Sequence, residues 1–193
     1  MVWPKVPPLT PLPSPTPLPT PVPSPTPVPQ PPVWIEIPKL GIERTIVPVG
    51  TVLRGGKLEW DAGSLFATSN RRDLVGHLEG TANPDQGGNI VLIGHNYNRG
   101  VYNWTGVFYA LNRLQPGDLL HLLDQDDERF TYQVERVDTV TGQTGSTANT
   151  LAHIAHLAPT QDETLTLVTC GGANFAPFPS RLYVTAKRVD VER

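Results

Sequence analysis

The chain has 193 residues, 22 of them proline, a single cysteine and a formal net charge of -3. That length allows one ordinary domain of about 160 residues behind a tail, enough to bury a good core. One cysteine excludes an internal disulfide framework and a thiolate-cluster zinc site, and Lys and Arg scattered without a basic stripe exclude nucleic acid as an expected partner.

Residues 1–32 are low in complexity. Proline recurs at nearly every second position among Ser, Thr, Leu and Val, with Lys5 as the single charge. No packed core can form from such a stretch. It favours polyproline II at about 3.1 Å per residue, a semi-rigid spacer of roughly 100 Å, with a disordered tail as the alternative. No signal peptide or membrane span is recognisable, since Met1-Val2-Trp3 runs directly into prolines.

The domain is expected over residues 33–193. Val33 to Ile37 alternates as a short strand closed by Pro38, and Arg44 to Val49 reads as a second strand after a turn at Leu40-Gly41. From Gly50 to Asp85 the pattern is poor, with turns at Gly55-Gly56, Asp61-Ala62-Gly63 and Asn83-Pro84-Asp85 and room for short strands or a helical turn. Ile90 to Ile93 is fully apolar, the mark of a buried strand, and delivers Gly94 and His95 to its end. Val101 to Leu114 reads as a loop entering a short helix. Asp118 to Leu123 and Phe130 to Val140 then pair across the turn Asp124-Gln125-Asp126-Asp127, and Leu151, Ile154 and Leu157 predict one more helical turn. In Thr164 to Cys170, Leu165 and Leu167 alternate with threonines and valine as a half-buried strand ending in the cysteine. A loop rich in turn formers follows, and Arg181 to Ala186 regains the alternation. Many short strands and few helices predict an all-β barrel with short helices in its connections.

The chemistry gathers at three strand ends. If the strands around the loop at 171–180 pair antiparallel, Cys170 lies opposite Arg181, about 5 Å away at Cα. A lone cysteine with a distant histidine is the pattern of a catalytic thiol. A free thiol is mostly protonated at neutral pH, so a neighbouring imidazole or cation must hold or supply charge, and His95 is the candidate. Arg181 keeps its proton and is suited to binding a carbonyl oxygen or a developing oxyanion. Asn96 and Thr169 flank these groups as candidate substrate contacts. Taken alone, Cys170 is more often a buried core thiol than a nucleophile; His95 and Arg181 at neighbouring strand ends reverse that. His77, His121, His153 and His156 read as structural or solvent-facing. No carboxylate motif joins His153 and His156 to make a metal site, and Asp124, Asp126 and Asp127 lack the glycine and closing glutamate of a calcium loop, so they read as a solvated turn. No cofactor or metal is expected.

Gly94-His95-Asn96 after a buried strand, Thr164-Leu-Thr-Leu-Val-Thr-Cys170, and Ser180-Arg-Leu-Tyr-Val184 resemble the motifs of the sortase family of cysteine transpeptidases. Ile37-Pro-Lys-Leu-Gly41, Phe108-Tyr-Ala-Leu111 and Pro116-Gly-Asp118 add to the resemblance, which runs in the family's order from about Trp34 to the C-terminus and is nearest to classes D and E. It implies an eight-stranded barrel. It also implies that Cys170 forms a thioester within a Leu-Pro-x-Thr-Gly-like C-terminal sorting motif of a secreted protein. An amine on a peptidoglycan precursor or a pilin then resolves it, with His95 as proton donor and base. The implied protein is a monomer at the extracellular face of the bacterial membrane. Members usually carry an N-terminal membrane span; none is recognisable here, which points to a shortened sequence rather than a truly soluble form.

Two other readings stay open at this level. An L,D-transpeptidase also joins Cys and His on a β-rich scaffold, but its Ser-x-Gly-Cys signature is replaced here by Leu167-Val-Thr-Cys170. A catalytically silent β-barrel that binds peptides is the alternative without chemistry.

Overall fold

The computed structural model describes residues 1, 28–65, 73–96, 105–141, 147–171 and 180–189. Of the tail expected at 1–32, residues 2–27 lie outside this description, as do residues 172–179 of the loop expected at 171–180. Alternating apolar residues form β1 (Pro32–Ile37), in which Ile35 and Ile37 are buried, and β2 (Ile42–Val49). Between them Gly41 takes the left-handed conformation at φ 62° and donates its N–H to Pro38 O, a turn that a side chain would strain. The poorly patterned stretch yields a two-stranded hairpin, β3 (Thr51–Arg54) with β4 (Lys57–Trp60), then a 3-10 turn at Ala62–Leu65 and β5 (Val75–Leu78). β6 (Asn89–Ile93), β7 (Leu119–Asp124) and β8 (Arg129–Thr141) follow, the last two paired as the sequence predicts. A helix, α1 (Thr147–Leu157), leads to β9 (Thr164–Gly171) and β10 (Ser180–Arg188).

Eight of these strands close a barrel in the order β1-β2-β5-β6-β9-β10-β8-β7. The β2–β5 and β6–β9 pairs are parallel and the other pairs antiparallel. Ile35, Ile37, Leu120, Leu122, Leu165, Leu167 and Val184 belong to the main core, the inward series of their strands. A second cluster occupies the outer side, where Val49, Leu65, Val91, Val168 and Tyr183 pack together. Because of this outer layer β9 is buried on both faces from Thr164 to Val168, not on one face as its alternation suggests. Its outward threonines satisfy their hydroxyls within the protein: Thr166 donates to Asn89 Oδ1 at 2.8 Å and Thr164 to Asp162 O at 3.0 Å.

The motif residues near the start and middle of the domain meet in space. Lys39 reaches Asp118 Oδ2 at 2.7 Å, and the same oxygen accepts the N–H of Gln115. Asp124 departs from the solvated turn expected of it. It is 4% exposed, and its Oδ1 accepts the N–H groups of Asp126 at 2.8 Å and Glu128 at 3.0 Å, closing the β7–β8 turn while Asp127 adopts φ 60°. The chain enters the barrel beside the start of β6: Asn83 Nδ2, in the segment leading to Asn89, donates to Pro29 O at 3.5 Å, whereas His95 follows the other end of that strand.

Candidate active site

β6, β9 and β10 are consecutive in the barrel, and their ends carry the three candidate groups. Ile93 is level with Val168, and Gly94 N–H donates to Val168 O at 3.1 Å, so the parallel register continues past β6 and brings His95 level with Cys170. Arg181 is paired with Cys170 across the antiparallel β9–β10 ladder, as the sequence predicts. The three positions form one row across adjacent strands, spanning roughly 10 Å of backbone at the usual inter-strand spacing. Strand alternation places 170 and 181 in the series of Val168 and Tyr183, on the outer side of the barrel. Backbone hydrogen bonding therefore fixes the spacing of a cysteine, a histidine and an arginine position before any side chain is considered.

His95 is 5% exposed and is held from two sides. Its carbonyl accepts the Phe108 N–H at 2.8 Å. Gly106 packs against it so closely that a Cβ there would sit 2.7 Å from the His95 Cβ, and a Cβ on Gly94 would fall 2.5 Å from the Phe108 ring. Both glycines are demanded by close approach rather than by backbone angle. Gly106 was not legible as a site residue, since an isolated glycine in a loop announces a turn and not its neighbour. Thr169, a candidate substrate contact, is 3% exposed, and its hydroxyl donates to Gly94 O at 2.8 Å, tying β9 to the segment that carries His95. Asn96 is half-buried beside His95. Arg181 is half-buried and its Nη1 donates to Ser180 O at 3.1 Å.

The remaining histidines are held in contacts of their own. His77 is buried, 3.0 Å from Ala82 O and 3.2 Å from Thr81 Oγ1, and burial holds it below the usual imidazole range despite the contact with the carbonyl. His121 Nδ1 lies 3.1 Å from Thr131 Oγ1, and burial, with Arg129 adding to it, holds it below that range as well. His153 is buried by α1 against the barrel, while Leu151 and Ile154, from which the helical turn is legible, are exposed. Among the described residues no cluster of three or more His, Cys, Asp or Glu is placed to hold a metal ion, and no helix is long and apolar enough to cross a membrane.

The family model for the sortase domain matches residues 35–189. Among solved structures, a lid mutant of sortase A from Corynebacterium diphtheriae is 25% identical, with a TM-score of 0.59 over 86% of this chain and 74% of that one. Sortase C-1 from Actinomyces oris gives 24% and 0.57 over 82% and 73%, and a Clostridium perfringens Sortase D5 transpeptidase gives 21% and 0.53 over 81% and 78%. These similarities spread over sortases A, C and D without separating one class. No curated protein matches the sequence. A family match that runs from inside β1 to the end of β10, on a barrel of the same build, means that this chain belongs to the sortase family, the cysteine transpeptidases that act on peptide bonds.

Proposed function

We propose that this protein cleaves a Leu-Pro-x-Thr-Gly-like sorting motif near the C-terminus of a secreted protein and transfers the new carboxyl end to an amine. The Cys170 thiolate attacks the scissile carbonyl carbon, forming a C–S bond. The C–N bond then breaks as His95 gives a proton to the leaving amine. In the second half His95 takes a proton from the incoming amine, whose nitrogen displaces the thiolate and forms the new amide. Arg181 binds the carbonyl oxygen as it gains negative charge. Thr169 positions His95 through Gly94 rather than touching substrate, and Asn96 contacts the peptide. The acceptor is the amine of a peptidoglycan precursor or a pilin. Sortases act at the cell surface, and this one is assigned to the extracellular face, working as a monomer. The proline-rich stretch to residue 32 serves as a spacer that joins the domain at the barrel end away from His95.

One observation supports this reading above the rest: the in-register row of His95, Cys170 and Arg181 across β6, β9 and β10. The test is mass spectrometry after incubation with a small library of sorting-motif peptides. Wild type is expected to gain the mass of an acyl fragment, Cys170→Ala to gain none while staying folded, and His95→Ala to turn over about 10²-fold more slowly. Arg181→Lys keeps charge but loses the planar fork, so alkylation of the thiol should persist while transpeptidation falls by roughly 3 kcal/mol. An acyl adduct on Cys170→Ala, or undiminished turnover in His95→Ala, contradicts the assignment.

A further inference from the structure

The outer face of β10 carries a cluster that the proposed chemistry leaves unused. Tyr183 is two residues along the strand from Arg181, in the same alternation series, and is 2% exposed. α1 covers it. His153 Nδ1 lies 2.7 Å from the phenol oxygen, and the His156 ring stacks on the tyrosine ring with centroids 4.2 Å apart and planes 7° from parallel. Burial pushes the phenol up to about 12, with Arg181 acting in the opposite sense, so at neutral pH the phenol is protonated and shares a hydrogen bond with His153. A second attachment holds the end of the helix. Asn89, 5% exposed at the start of β6, donates through Nδ2 to His156 O at 3.0 Å and Ala158 O at 3.1 Å. Leu157 packs on the outer cluster, whereas Leu151 and Ile154 are 60% and 53% exposed. The helix is thus seated largely through its histidines and carbonyls rather than through an aliphatic stripe.

We propose that Tyr183, with His153 and His156, is a positioning residue of the active site, seating α1 beside the Cys170–Arg181 pair so that the helix bounds the cleft that receives the peptide, and releasing it in acid. This deepens the transpeptidase reading and rests on it. An extended peptide that brings its carbonyl to Cys170 meets the place where α1 covers Tyr183, one alternation step further along β9 and β10. The position of the helix therefore sets the room for the peptide, while a small reagent can reach the thiol without it.

The pH dependence follows from what faces His156. Asp138 Oδ2 on β8 is 3.9 Å from its Nδ1, Arg136 on β8 pairs with that same carboxylate at 3.1 Å, His153 shares its helix, and Tyr183 lies beneath it with Arg181 beyond. Burial holds His156 below the ordinary value of 6.5; Asp138 counteracts this, and Arg136 and His153 add to it. A released imidazole near 6.5 takes up a proton before the seated one does. Seating is complete above that pH and weakens as pH falls below it, levelling off under the lower, seated pKa.

The experiment measures peptide KM and kcat, and the rate of Cys170 alkylation by a small reagent, for wild type, Tyr183→Phe and His156→Phe between pH 5.5 and 8. Tyr183→Phe removes the hydrogen bond and keeps the stack. It is expected to raise KM about fivefold, the scale of one buried hydrogen bond, with alkylation unchanged, and to speed amide hydrogen exchange across residues 151–157. Wild-type KM should rise from pH 7.5 to 5.5, and KM of His156→Phe, which stacks but cannot titrate, should stay flat. A wild-type KM in Tyr183→Phe, or the wild-type pH rise persisting in His156→Phe, overturns the seat while peptide turnover stands. Wild type that forms no acyl adduct and turns over no peptide overturns the transpeptidase reading, and the positioning role with it.

Discussion

Gly106 and His95 show how closely a single hydrogen atom can be specified. The backbone of His95 occupies the space where a side chain at 106 would begin, and Phe108, two residues on, holds the His95 carbonyl by its N–H. Gly106→Ala must push one of these backbones aside, and forced overpacking of this kind costs about 2 kcal/mol. The displaced group is the proposed general acid and base, so turnover should fall by about tenfold or more, beyond what the stability loss explains at a temperature where the variant is folded. Thermal unfolding measured beside peptide turnover checks this; an alanine variant with normal turnover would mean that His95 tolerates the shift. His95, Cys170 and Arg181 were each legible in the sequence as residues at strand ends, His95 after a fully apolar run and the other two on period-two strands. The supports of the row they form were not, since Gly106 and the Thr169 hydroxyl act through partners far away in the chain, Gly94 in the case of Thr169.

At the scale of the element, α1 departs most from what its sequence suggests. Leu151, Ile154 and Leu157 recur at helical spacing and point to a helix buried through them, yet the first two are exposed and His153 is buried instead. The reason lies in the surface beneath. The outer faces of β6 and β10 present Asn89 and Tyr183, groups that a leucine could not satisfy and that carbonyls and imidazoles can. Asn89→Asp should therefore be costly. It keeps the acceptor for Thr166 but turns the amide donor into an oxygen against the carbonyls of His156 and Ala158, an unpaired buried charge worth about 3 kcal/mol or more. Ile154→Ser on the exposed side should change stability by no more than about 0.5 kcal/mol. Urea midpoints of the two variants make the comparison, and equal losses would contradict the seating described here.

For the whole molecule, pH links the buried histidines to the stability of the barrel. His77 is 8% exposed between β5 and the following turn, and burial outweighs the pull of the Ala82 carbonyl to keep its pKa below 6.5. The unfolded chain binds a proton near 6.5 that the folded chain refuses until lower pH, so this contribution is whole above that value and is lost as pH falls towards the folded pKa. His121 and His156 shift in the same direction. The urea midpoint should thus decline between pH 7 and pH 5, and His77→Gln should decline less steeply over the same range. A midpoint independent of pH in that window would show that these imidazoles cost the folded state nothing to protonate.

The sequence by itself determined the all-β class, most strand positions, and the three residues at the strand ends, because period-two alternation and turn residues are local properties of the chain. Its motifs also carried the family resemblance. Tertiary structure decided which strands became neighbours, and with that, that His95, Cys170 and Arg181 share one row: β6 and β9 are parallel and lie 75 positions apart between His95 and Cys170, a pairing that no local pattern encodes. It also decided that β9 is buried on both faces, that Asp124 closes a turn from inside, and that α1 rests on histidines. In each case a side chain is satisfied or displaced by a group distant in sequence, and that partner exists only once the barrel has closed.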